Sequence, residues 1–205
     1  MNNTREVVTY AKKYINGDVL DYGAGSAKYR DIIELCSATY IAFDVISGSA
    51  IDVVGDVLNP PFADASFDTI ISTQVLEHVE RPWIMVAQIA RILRTDGVCV
   101  ATAPFMLPYH ADPHDFFRYT KEGLQSLFIN EGFDILESGS YGKTFGVFSE
   151  MLHFVWLNPY ENKGERKWST RIMRRVERLA GFLDGFVKNE IIYPNVYVVA
   201  KKKEV

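Results

Sequence analysis

The sequence predicts a doubly wound α/β fold, and three observations carry that reading. A buried strand, Val19-Leu20-Asp21-Tyr22, breaks into Gly23-Ala24-Gly25 and opens towards a helix. Apolar strand-like runs then alternate with helical segments along most of the chain, the pattern of a sheet covered on both faces. One such run, Phe67 to Thr73, is β-branched and apolar on both sides, as a central parallel strand should be.

Taken in order, Thr4 to Ile15 reads as a helix, with Val7, Val8, Ala11, Tyr14 and Ile15 at helical spacing and Asn16-Gly17 as its stop. The first strand and its glycine turn follow. Ala27 to Cys36 is expected to be a helix burying Ile32, Ile33 and Cys36, with free N–H groups at its start forming a polar cradle. Thr39 to Val45 is the second strand and Ile51 to Val57 a short third. After the fourth strand, Pro82 suits the first turn of a helix that Gly97 is expected to stop. Val98 to Ala103 is the fifth strand. Thr120 then caps a helix that Gly132 ends. Phe133 to Ser138 and Asn195 to Lys201 complete the strands, with a long insertion between them.

Composition bounds the function. The chain of 205 residues is 48% hydrophobic and 23% charged, ordinary for a soluble domain able to bury its own core. A formal net charge of −4 argues against general nucleic-acid binding. Cys36 and Cys99 are expected to be separate core thiols in a reducing, cytoplasmic setting. Phe145 to Leu157 holds Glu150 and His153 and is too short to span a bilayer. No secretory signal is recognised at the polar start.

The glycine turn sits where open α/β sheets bind ligands, at the carboxyl end of the strands. Asp44 follows Gly23 by 21 positions, a distance at which a second strand can deliver a carboxylate to a ribose. A carboxylate accepts strong, charge-assisted hydrogen bonds from both ribose hydroxyls. A nicotinamide-dependent oxidoreductase also needs such a pair of features. Its third glycine, however, would fall at position 28, which is Lys28, and Asp56 and Ser66-Phe67-Asp68 would have no role.

Four pieces occur together: the Val-Leu-Asp-Tyr-Gly-Ala-Gly turn, Asp44, Gly55-Asp56-Val57, and Pro61-Phe62 through Ser66-Phe67-Asp68 into Leu76-Glu77-His78. In this order and spacing, Asp18 to Phe133 resembles the class I S-adenosylmethionine-dependent methyltransferases, most closely the type 11 methyltransferase domain. The resemblance implies a Rossmann-like, doubly wound, seven-stranded sheet with an antiparallel last strand, and S-adenosylmethionine as cofactor. Asp21, with the backbone of Tyr22, Gly23, Ala24 and Gly25, would hold the cofactor's methionine part. Asp44 and Val45 would meet the ribose, Asp56 and Val57 the adenine, and Gln74 and Val75 would lie beside the sulfonium. Ala27 stands where many relatives have a third glycine, and its methyl is expected only to tighten packing.

The acceptor should lie against Tyr109 to Tyr119, the loop after the fifth strand. His110 and His114 are the candidate bases there, because an imidazole's reference pKa of about 6.5 suits proton removal near neutrality. Pinning of the loop by these histidines and Arg118 is the alternative, and His78 is either a further pocket histidine or a packing residue. His110 and His114 have the four-residue spacing of a metal pair on a helix, but Pro108 and Pro113 interrupt one, so no metal is expected. The acceptor is expected to be a small molecule or glycan methylated at oxygen. Cofactor binding without turnover, as a sensor or scaffold, is the other reading.

The whole chain, 1–205, is expected to form one domain in which 140–194 is a helical cap roofing the acceptor. Phe145, Phe148, Phe154, Trp156 and Tyr160 would face that roof. Residues 170–187 place Ile172, Val176, Leu179 and Leu183 on an apolar stripe opposite Arg171, Arg174, Arg175 and Arg178. Such a helix packs on its own domain or touches an anionic membrane surface.

Overall fold

A computed structural model of the chain describes residues 1–157, 175–176, 178–186 and 192–204. The strands are β1 (Asp18–Tyr22), β2 (Thr39–Asp44), β3 (Val53–Val54), β4 (Phe67–Thr73), β5 (Leu93–Pro104), β6 (Phe133–Tyr141) and β7 (Asn195–Lys202). The helices are α1 (Thr4–Ala11), α2 (Arg30–Ile33), α3 (Pro82–Ile92), α4 (Lys121–Asn130) and α5 (Thr144–Leu157). One seven-stranded sheet runs in the order β3-β2-β1-β4-β5-β7-β6. β3 to β5 pair in parallel, whereas β7 lies antiparallel to both β5 and β6. This is the doubly wound architecture expected of the chain, with β1 beside β4 at the point where the strand order reverses.

Both faces of the sheet are covered. One core gathers Leu20, Phe43, Ile70, Met85, Ile89, Leu124 and Phe128. The other holds Val7, Val8, Val19, Ile33, Ile71 and Val100. Alternate residues of β1 and β4 point to opposite cores, which is why those strands are apolar throughout. At the amino edge, Asp68 accepts the Asp18 N–H at 2.8 Å and pairs with Arg94, which also reaches Asp18 at 2.9 Å. Gly17 has φ +61°, and a β-carbon there would lie 2.1 Å from Asp68 Oδ2. The Ser66-Phe67-Asp68 piece is therefore a clamp between strand starts, on the edge opposite the glycine turn.

Several expected boundaries shift. The helix expected over Ala27 to Cys36 is a single turn, Arg30–Ile33, preceded by turns in which Ala27 N–H bonds Ala24 O and Arg30 N–H bonds Ala27 O. Ala27 itself has φ +50°, so the glycine common at this position answers a left-handed backbone and not only packing. α3 stops at Ile92, before Gly97, because Leu93 already pairs with Phe67 in the sheet. Asp96, at φ 63°, takes the left-handed position expected of Gly97. Thr120 caps α4 through a bond from Gly123 N–H at 3.0 Å, and Gly132 follows the helix at φ +84°.

Cys36 and Cys99 are free. Among the described residues no helix is long and apolar enough to cross a membrane. In the insertion, Asp184 accepts the Phe145 N–H at 2.8 Å at the start of α5. Most of the basic helix expected over 170–187, the side chains of Phe154 and Trp156, and Tyr160 lie outside the described residues.

Candidate active site

The glycine turn spends its first N–H groups on β2. Gly23 N–H and Ala24 N–H both donate to Phe43 O, at 2.9 and 3.0 Å. Gly25 N–H donates to Asp44 Oδ2 at 2.8 Å. The cradle expected from a helix N-terminus is thus built differently: the turn grips the end of β2 and positions the Asp44 carboxylate. Gly25, at φ +57°, has open space where its β-carbon would stand, so a ligand can approach its backbone.

Three acids mark the carboxyl ends of three neighbouring strands: Asp21 near the end of β1, Asp44 closing β2, and Asp56 two residues beyond β3. Asp21 is only 2% exposed and accepts from the Tyr40 hydroxyl at 2.7 Å. Burial pushes its carboxyl up to about 6; the Tyr40 bond opposes the rise and the charge of Asp44 adds to it. Asp44 is half-buried, with Oδ1 taking Ile46 N–H at 3.0 Å and Oδ2 taking Gly25 N–H. Each oxygen keeps a lone pair for a further donor. Val45 beyond it is 60% exposed, an apolar face without cover. Asp56 is exposed and caps its own turn by accepting from Leu58 N–H at 2.8 Å.

Tyr22 lies elsewhere than its neighbours in the motif. Its side chain turns into the core, packs edge-on to Phe43 and donates to Val57 O at 2.7 Å. It therefore positions the Asp56-Val57 segment and offers a ligand only its backbone. Gln74 has φ +56° and donates from Nε2 to Thr102 Oγ1 at 3.2 Å and Tyr141 Oη at 3.1 Å. Gln74 and Tyr141 also line a cleft of about 380 Å³ with Leu107, Lys143, Gly146 and Glu150.

The loop after β5 separates the two candidate histidines. Arg118 is its clamp, bonding Leu107 O at 3.0 Å, Pro108 O at 2.8 Å and both oxygens of Asp115. Asp115 also accepts the His110 N–H at 2.8 Å. Burial would raise the Asp115 carboxyl, but these bonds hold it below its usual range. His110 is half-buried and points Nε2 at Glu77 Oε1, 3.9 Å away. His114 is exposed, its ring beside Phe116 and its carbonyl bonded to His78 Nδ1 at 2.6 Å. The two do not act as a pair.

Glu77 is the residue that sequence reasoning quoted without a role. It is fully buried, and neither carboxylate oxygen has a hydrogen-bond partner from another residue. Burial pushes it up to about 8, against the smaller opposing influence of its own backbone N–H and of Arg118. Its only sequence signal is a charged residue between Leu76 and His78 just past a buried strand.

This arrangement fits S-adenosylmethionine. Uncommitted carboxylate lone pairs at Asp44 suit ribose hydroxyls, the buried Asp21 anion suits a cationic ammonium, and the open Gly25 backbone leaves room for the chain between them. Residues 20–101 match the family model described as Methyltransferase domain. The chain is 26% identical over 132 residues to a probable S-adenosylmethionine-dependent methyltransferase of Mycobacterium tuberculosis, covering 57% of this chain and 48% of that one. It is 48% identical over 40 residues to an uncharacterized methyltransferase of Mycobacterium avium, covering 20% and 16%. The chain thus spans about half, or less, of these relatives' length. A putative methyltransferase from Bacillus halodurans superposes with TM-score 0.66 at 15% identity, covering 98% of this chain and 99% of that one. The [4+2]-cyclase SpnF superposes with TM-score 0.64 at 17% identity, covering 98% and 82%. The fold is shared with solved methyltransferases, and residues 20–101 carry the match to the methyltransferase-domain family model.

Proposed function

We propose that the chain transfers a methyl group from S-adenosylmethionine to the oxygen of a small-molecule or glycan acceptor. The observation that carries this reading is that Asp21 and Asp44 lie at the ends of neighbouring strands beside the open Gly25 backbone, with Asp56 just beyond the next strand of the sheet. Asp21 and the turn hold the methionine part, Asp44 with Val45 the ribose, and Asp56 with Val57 the adenine. Gln74 and Val75 stand beside the sulfur. The cofactor supplies a methyl group already activated by the sulfonium, so the protein chiefly aligns and desolvates.

An oxygen acceptor must also lose a proton. The cluster in which His110 of the loop faces Glu77 and His78 from the exit of β4 is the group equipped to remove it, with exposed His114 nearby on the same loop. Of the expected 140–194 cap, the described start of α5 borders the Gln74 cleft through Gly146 and Glu150. Net charge and two free thiols favour a cytoplasmic protein that does not bind nucleic acid.

The test is calorimetry with S-adenosylmethionine and S-adenosylhomocysteine, followed by label transfer from methyl-labelled cofactor into fractionated extract. Binding with transfer is expected; absence of binding by both compounds overturns the reading. Binding without transfer to any fraction favours a sensor or scaffold.

A further inference from the structure

We propose that Glu77, His78 and His110 form a binding site for one divalent first-row transition-metal ion. Their ligand atoms all lie within 4.8 Å of one another. His78 Nε2 stands 3.7 Å and His110 Nε2 3.9 Å from Glu77 Oε1. Bond lengths of about 2.0–2.1 Å to a tetrahedral ion would set the ligand atoms about 3.3 Å apart, so a contraction of at most about 1.5 Å closes the site. Two imidazoles and one carboxylate with a vacant fourth position is a ligand set used for zinc and for non-haem iron.

The other ring nitrogen of each imidazole is held by a backbone carbonyl. A metal-binding histidine characteristically donates its other ring N–H to a carbonyl or carboxylate, which turns a lone pair towards the ion. His78 Nδ1 is 2.6 Å from His114 O, and His110 Nδ1 is 3.1 Å from Pro108 O. Arg118 Nη2 lies 3.4 Å from His110 Nδ1, but its two hydrogens go to Pro108 O at 2.8 Å and Asp115 Oδ2 at 2.6 Å. Asp115 Oδ2, 3.8 Å from His110 Nδ1, adds negative charge behind that ring. Both tautomers are thereby set with Nε2 as the lone pair, and both lone pairs face the same oxygen.

Glu77 provides the independent sign of an occupant. A fully buried carboxylate with no hydrogen-bond partner from another residue is costly unless something cationic completes it. A hydrophobic residue would fill the position at lower cost if the role were packing alone. The open fourth position would take an oxygen ligand and ease its deprotonation. That consequence rests on the proposed methyl transfer; binding of the ion does not.

The test uses the untagged full chain, stripped with chelator, then titrated with Co2+ and challenged with Zn2+. Four- or five-coordinate Co2+ absorbs visible light far more strongly than the hydrated ion. One equivalent of strongly absorbing Co2+, displaced by Zn2+ that survives desalting, is expected. Glu77→Gln and His110→Ala should each weaken binding at least about 100-fold. S-adenosylhomocysteine calorimetry on the same samples checks folding and keeps a failure of cofactor binding separate from a failure of metal binding. No saturable absorption in the wild-type chain overturns the site, as does undiminished binding in both folded variants.

Discussion

Val75 is packed so tightly on Gly23 that a β-carbon at residue 23 would lie 2.5 Å from Val75 Cγ2. The contact joins the turn after β1 to the exit of β4, so the two strand ends expected to flank the cofactor are braced directly against each other. Gly23 also has φ +81°, where an L side chain adds strain. Gly23→Ala is expected to destabilise the fold by about 2–4 kcal/mol, combining overpacking and backbone strain. Adding Val75→Ala should recover the overpacking share and leave the strain. Thermal melts of the three variants check this; no recovery in the double variant refutes the bracing.

Asp21 makes binding and stability oppose each other. Its native carboxyl is raised to about 6 from an ordinary 3.8, so the folded protein binds the proton more tightly than the unfolded chain. Such a group costs stability at neutral pH, and the cost disappears as pH falls from about 6 towards 4. Asp21→Asn keeps an acceptor for the Tyr40 hydroxyl and removes the buried charge. It should raise stability at pH 7 by on the order of 2–3 kcal/mol while weakening cofactor binding at least tenfold. The stability gap to wild type should close in acid, and wild-type affinity for S-adenosylmethionine should fall below pH 6 as a proton competes for Asp21. A gap that stays constant from pH 7 to 4 contradicts this account.

The sheet and the acids were legible because each rests on a local signal: two-sided apolar runs for β1 and β4, and a carboxylate at the end of β2. Two kinds of feature were not. The Ala27–Cys36 periodicity indicated a helix, but the turn is held by β2, through Phe43 O and Asp44, and too little chain remains for more than one helical turn. Glu77 and His110 are brought together only when the loop after β5 folds back, with Phe116 N–H on Glu77 O at 2.7 Å and Tyr119 N–H on Pro104 O at 2.8 Å. No spacing in one segment announces a contact made by two. The four-residue spacing of His110 and His114 lies along the chain, whereas the residue that His110 faces, Glu77, lies across the fold.

Asp68 separates scaffold from site within the family motif. Its carboxylate ties Asp18 N–H and Arg94 at the amino edge, one β1 strand length, about 15 Å, from the glycine turn. Asp68→Ala should cost about 1–2 kcal/mol, since it leaves a backbone donor without its partner and Arg94 is partly solvated. Affinity for S-adenosylhomocysteine should remain within about twofold of wild type. A large loss of affinity in a folded variant would assign Asp68 a part in cofactor binding that its position does not support.

His110 and His114 should differ in their effect on turnover because their surroundings differ. His110 is held by Arg118 and Asp115 through the loop backbone and faces the buried Glu77, whereas His114 is exposed and contributes its carbonyl to His78. A carbonyl contact survives side-chain truncation. With an acceptor identified by label transfer, His110→Ala is expected to lower kcat by about 10²–10⁴, the range for losing proton removal, with cofactor affinity unchanged. His114→Ala should stay within a few-fold of wild type. Supplying neutral amine acceptors separates the explanations further, because an amine attacks without first losing a proton and should be spared by His110→Ala. Equal rates for both variants on a hydroxyl acceptor would remove the cluster from the reaction and leave the loop a purely structural wall.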